Sequence, residues 1–119
     1  MVLYNAGMQI ESRFHDVTEL FAETLPAQAL QWYSKHYHIS YQQLIDCGVT
    51  DYTIPLLLSE AGVPVFSLVR NAINNIVRHS ENVQEDRLFD IIDPHFHGDL
   101  NPVYPAVEQV VRERLGAGK

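Results

Sequence analysis

One short segment carries most of the residues that could do chemistry. Asp93-Pro94-His95-Phe96-His97-Gly98-Asp99 sets two imidazoles two positions apart between two carboxylates. In an extended chain, alternate side chains share a face. His95 and His97 would then meet one cation, with Asp93 or Asp99 as an oxygen ligand. Imidazole together with carboxylate suits zinc. A hydrolytic metal centre would need more ligands, and His15, His79, His36 and His38 are the available imidazoles. The alternative is a polar connection whose histidines are solvated or hydrogen-bonded, and that is the primary expectation, with no cofactor. His36 and His38 form a second pair near a helix end. Residues two apart on a helix do not face each other, so this pair could chelate only beyond the last turn.

Nucleophilic chemistry is weakly represented. Cys47 follows Asp46 and precedes the helix-stopping Gly48. A helix C-terminus and a neighbouring carboxylate both disfavour a thiolate, so Cys47 reads as a structural, buried residue. No serine sits in a Gly-x-Ser-x-Gly setting, and no glycine-rich phosphate loop is present. The sequence therefore points away from an enzyme.

A third pattern lies in residues 54–73, which resemble a helix-turn-helix over about 20 of 119 positions. Leu57, Leu58, Ala61, Gly62 and Val63 supply the first helix and turn. Leu68, Ala72 and Ile73 supply the buried side of a second helix, whose Arg70, Asn71, Asn74 and Arg78 could reach DNA. Three features depart from the motif. Leu58 stands where a small residue is usual. Asn71 occupies an expected apolar place. The second helix opens on Pro64-Val65-Phe66, where polar side chains would meet base edges.

These patterns must be positioned by helices. The strongest periodicity is Val65, Leu68, Val69, Ala72, Ile73, Ile76 and Val77, with Arg70, Asn71, Asn74, Asn75 and Arg78 on the other side. It predicts a central helix over 64–78. Asp16-Val17-Thr18-Glu19 has the form of a capping box ahead of Val17, Leu20, Phe21 and Leu25. Pro26 is expected to stop that helix and to open the next. That next helix carries Ala29, Leu30, Tyr33 and Tyr37. Ser40-Tyr41-Gln42-Gln43 predicts a second capped start, and Thr53 a third. Asn82-Val83-Gln84-Glu85 predicts a fourth, before Leu88, Ile91 and Ile92. Residues 94–105 read as an irregular connection. Val107, Val110, Val111 and Leu115 predict a last helix, ended by Gly116. Residues 8–14 alternate only weakly, and residues 1–14 read as an extended or loosely ordered lead-in. The sum is an all-α, compact, single-domain bundle of five to seven short helices over residues 1–119.

Length and composition agree. A chain of 119 residues with 46% apolar and 19% charged residues can form one domain and bury roughly two thirds of its unfolded surface. No apolar run reaches about 18 residues, so no transmembrane helix is expected. Met1-Val2-Leu3-Tyr4-Asn5 does not read as a secretory signal. A single cysteine precludes an internal disulfide, and a cytoplasmic location is expected.

The net charge of −7 disfavours sequence-blind binding to nucleic acid and to anionic membranes. The charge is uneven. Residues 81–99 hold six acids against Arg87 alone, a balance of −5. The expected function is that of a small acidic protein-binding module, such as an inhibitor, an immunity or antitoxin-like protein, or an adaptor. It would occlude a basic surface of a partner protein. Asp86, Asp90, Asp93 and Asp99 would carry the charge, and Phe89, Phe96 and Trp32 the anchors. The helix-turn-helix regulator and the metal-binding protein are the alternatives.

Overall fold

The computed structural model describes the backbone of residues 2–117 and the side chains of residues 13–116. It is all-α, with no strand among the described residues. Six helices follow in order: α1 (Val2–His36), α2 (Tyr41–Asp46), α3 (Ile54–Glu60), α4 (Val65–Arg78), α5 (Leu88–Ile92) and α6 (Tyr104–Ala117). Three 3-10 turns, Glu85–Arg87, Asp93–Phe96 and Gly98–Leu100, surround α5 and lead to α6.

The spine is α1. Its 35 residues extend about 52 Å, which accounts for most of the 61 Å length of a molecule only 24 and 18 Å across. The backbone over 8–14 is helical, not an extended lead-in. Pro26 lies inside the helix and is itself buried. A proline in a helix interior costs about 3 kcal/mol or more, because it lacks an N–H and crowds the preceding turn. Leu25 and Ala29 are fully buried, and Leu30 nearly so. Burying a leucine side chain contributes roughly 1.5–3 kcal/mol. Packing on both sides of the proline therefore outweighs the local preference to stop. Continuity also removes the capping role expected of Asp16. It stands mid-helix and exposed, where no unpaired N–H groups await a cap. Thr18 is buried and donates its hydroxyl to the Phe14 carbonyl within α1.

The shorter helices follow their local signals more closely. His38, at φ 55°, turns the chain out of α1. Ser40 then caps α2 with a full capping box: its Oγ accepts from Gln43 N at 3.1 Å, and Gln43 Oε1 accepts from Ser40 N at 2.9 Å. Thr53 precedes α3, but its hydroxyl donates to the Gly48 carbonyl and accepts from Thr50 N, so it locks the turn rather than capping the helix. Gly62, at φ +77°, ends the α3 segment in the left-handed region that only glycine enters without strain. Helix α4 forms where the periodicity places it, with Val69 and Ile73 fully buried. Asn82 also takes a left-handed φ, and α5 begins without a side-chain cap.

All these helices share one hydrophobic core, built from Phe21, Leu25 and Leu30 of α1, Leu44 of α2, Ile54 and Leu58 of α3, Val69 and Ile73 of α4, Leu88 and Ile92 of α5, and Val107 and Val111 of α6. One buried polar side chain crosses it. Asn101 Nδ2 donates to the Leu25 carbonyl at 3.0 Å, and Asn101 Oδ1 accepts from Val103 N at 2.8 Å. The amide thus ties the 98–104 segment to α1 beside Pro26. Replacing it by leucine removes both hydrogen bonds and leaves the buried Val103 N–H without its partner. The expected loss for Asn101→Leu is about 2–4 kcal/mol, read as a lower midpoint in urea denaturation.

Candidate partner-binding surface

The stretch from Glu85 to Phe96 winds almost without a break, through a 3-10 turn, α5 and a second 3-10 turn. Positions i, i+3, i+4 and i+7 of a helical run share a face. Asp86, Phe89, Asp90 and Asp93 stand in that relation. The first three are exposed and Asp93 is half-buried. The opposite side of the run, Leu88, Ile92 and Phe96, enters the core. Phe89 is the apolar centre of the outer face. It remains 41% exposed while its ring lies flat on Phe21, with centroids 4.9 Å apart and planes 5° from parallel. Among the described residues, neither Asp86 nor Asp90 joins an ion pair, whereas Glu85 meets Arg13 at 4.0 Å. A cleft lined by Glu81, Asn82, Arg87, Asp90 and Ile91 adjoins this face.

Two expected anchors lie elsewhere. Phe96 is only 3% exposed and packs edge-on against Phe21 at 5.1 Å. It belongs to the core, because the 3-10 turn directs it to the same side as Leu88 and Ile92. Trp32 is half-buried, stacked on His36 at 4.6 Å and edge-on to Tyr104 at 5.1 Å. It packs against Gly98, where an added Cβ would sit 3.0 Å from the indole nitrogen. Asp99 is exposed on the Gly98–Leu100 turn, outside the 86–93 run.

The expected metal geometry does not form. Asp93–Phe96 and Gly98–Leu100 are wound rather than extended, so the alternation that would align His95 with His97 is lost. His97 Nε2 instead faces Asp93 Oδ2 at 3.4 Å. No three His, Cys, Asp or Glu side chains gather as a metal set among the described residues. His36 ends α1 and leans on Trp32, while His38 occupies the left-handed turn beyond it. Cys47 is half-buried at the end of α2.

Tyr33, Tyr37 and Tyr41 recur at helical spacing, but they do not form one stripe because α1 ends at His36. Tyr33 is buried, while Tyr41 belongs to α2 and is exposed. The third member of the aromatic group is Tyr104, at the start of α6. It meets both Trp32 and Tyr33 from 72 and 71 positions away in sequence, and nothing local in the sequence signals that meeting. Arg112 and Glu108, paired at 2.8 Å, complete the group. Hydrogen bonding to Tyr33, then the Glu108 charge, hold the Arg112 guanidinium above its ordinary range.

The residues of the helix-turn-helix pattern are arranged separately. Helices α3 and α4 cross at 98°, joined by residues 61–64. Asn71, Asn74 and Arg78 are exposed and Arg70 is half-buried. Neither arginine lies within ion-pair distance of a carboxylate among the described residues. Among the described residues, no single helix is long and apolar enough to cross a membrane, and the pair α3–α4, which has the composition for it, is sharply bent.

No known protein family matches this sequence, and neither characterised proteins nor solved structures give a significant match.

Burial pushes the Tyr104 phenol above its ordinary range, and a hydrogen bond to the negatively charged Glu108 adds to the shift. The folded state therefore keeps this proton where the unfolded chain releases it, above a pH of about 10. Stability from Tyr104 is complete below that pH and falls as pH rises through it. Urea midpoints measured between neutral pH and strongly alkaline pH should decline, and Tyr104→Phe should decline less steeply.

Proposed function

We propose that the protein is a binding module that uses the 86–93 face to occlude a basic surface on a partner protein, as an inhibitor, an immunity or antitoxin-like protein, or an adaptor does. The observation that carries this reading is the convergence of Asp86, Phe89, Asp90 and Asp93 on one outward face, with the phenylalanine ring held flat by Phe21. Two carboxylates free of ion pairs, Asp86 and Asp90, beside an apolar centre supply two different contributions. The charges attract a basic partner and speed encounter. The ring supplies desolvated contact area, and because it is already fixed it loses little freedom on binding. The balance of −5 over residues 81–99 concentrates the field there. Asp99 adds to that field from the next turn. Trp32, half-buried against His36 and Tyr104, stands apart from this face. A lone cysteine suits a reducing compartment, and we place the module in the cytoplasm.

The reading is tested by copurification from the native host, with mass spectrometry to name the partner, followed by association kinetics at several salt concentrations. Asp86→Ala with Asp90→Ala should slow association several-fold and flatten its salt dependence while leaving dissociation nearly unchanged. Phe89→Ala should instead speed dissociation, by about ten-fold. Kinetics unchanged in both variants remove the acidic face from the interaction.

A further inference from the structure

We infer that the outer face of α4 is a second binding surface, that its ligand is duplex DNA read in the major groove, and that it acts independently of the acidic face. Residues 61–80 contain no Asp or Glu, although the chain holds 15 acids in 119 residues. Glu60 precedes this interval and Glu81 follows it. Within it Ser67, Arg70, Asn71, Asn74 and Arg78 fall at i, i+3, i+4, i+7 and i+11, a single stripe along the helix. The opposite stripe, Val69, Ala72, Ile73 and Ile76, packs inward. The outer stripe is thus made of amide, hydroxyl and guanidinium groups without a single carboxylate.

The backbone supports the same assignment. Two helices joined by a short glycine-containing turn at about 90–120° are the arrangement that seats a second helix in the major groove. Here the angle is 98°. The turn is rigid: Gly62 N donates to the Ser59 carbonyl at 3.0 Å and Val63 N to the Leu58 carbonyl at 2.9 Å. Both helices rest on α1, so the pair is held by a third helix. The departures from the motif have a structural explanation. Leu58 is accommodated because it is fully buried in the shared core. Val69 and Ile73, rather than position 71, are the fully buried residues of α4, and Asn71 is left on the outer stripe. Phe66 near the start of α4 meets His15 with ring centroids 5.6 Å apart and planes tilted by 52°, and it stays partly exposed, as an apolar group that meets a thymine methyl would.

The chemistry of the stripe selects the ligand. Asparagine pairs with the adenine edge through two hydrogen bonds, and arginine with guanine or with phosphate. Residues 67–78 rise about 17 Å along the helix axis, the length of about five base pairs. The recognised sequence is therefore short, and with two guanidinium groups available to phosphates the log–log salt slope is about −2 at most.

The test is selection from a randomised duplex library at low ionic strength with the full chain, followed by anisotropy titrations. The expected result is one enriched motif of about that length. Asn71→Ala and Asn74→Ala should each weaken binding to it by roughly ten-fold and relax preference at one or two positions. Arg78→Ala should weaken all sequences alike and lower the salt slope by about one. These three side chains are exposed, and thermal melts confirm that each variant is folded. Failure to enrich a motif, binding without preference among sequences, or a motif bound equally well by the Asn71→Ala, Asn74→Ala and Arg78→Ala proteins overturns the inference. Asp86→Ala with Asp90→Ala should leave DNA affinity unreduced, which separates this surface from the acidic one.

Discussion

The interior of α1 is where the structure commits itself. A helix of 35 residues with a proline two-thirds of the way along persists only because both flanks of that proline are buried. Leu25 and Ala29 lie against other helices, Phe21 holds α5 and the turn after it, and Asn101 reaches the Leu25 carbonyl. Helices α3, α4, α5 and α6 all rest on this one element. If α1 broke at Pro26, the two halves could not present a continuous surface to the helices that pack on them. The local cost of the proline is fixed by covalent geometry, and the rest of the core offsets it.

That arrangement divides the exterior. Phe21 faces α5 and the 93–96 turn, and through them fixes the acidic face. Helix α4 rests on α1 with its carboxylate-free stripe turned outward. A whole-chain charge of −7 describes neither surface. Between residues 81 and 99 the chain is strongly acidic, and between 61 and 80 it has no acid at all. Two neighbouring stretches of one small domain therefore present opposite electrostatic characters. Burial of Leu88, Ile92 and Phe96 on one side and of Val69 and Ile73 on the other orients each outer face.

What could be read from the sequence was local chemistry. The α4 periodicity, the Ser40 capping box and the glycine turns at 48 and 62 act within a few residues, and each appears in the fold. The 86, 89, 90 part of the acidic face was legible for the same reason, since helical spacing alone puts those residues together. The misread features depend on distant partners. Pro26 looks like a stop until the burial of its neighbours is known. Phe96 looks like an exposed anchor until the winding of 93–96 turns it against Phe21. His95 and His97 look like a chelating pair only while that segment is taken as extended. Tyr104 carries no local mark of its contact with Trp32, because the contact is made by a residue of the far end of the chain.

The Asn101 side chain has a consequence for how the chain reaches this state. Its bond to the Leu25 carbonyl joins residues 76 positions apart. Helical turns form within a microsecond or so from neighbouring residues, but this link must await closure of a long loop. Nascent α1 emerges with its weakest point at Pro26 and without the residues that cover it. The helix becomes fully supported only when the last third of the chain has docked. The first helix is thus tied to the last loop, and a chain cut short before residue 101 lacks that tie.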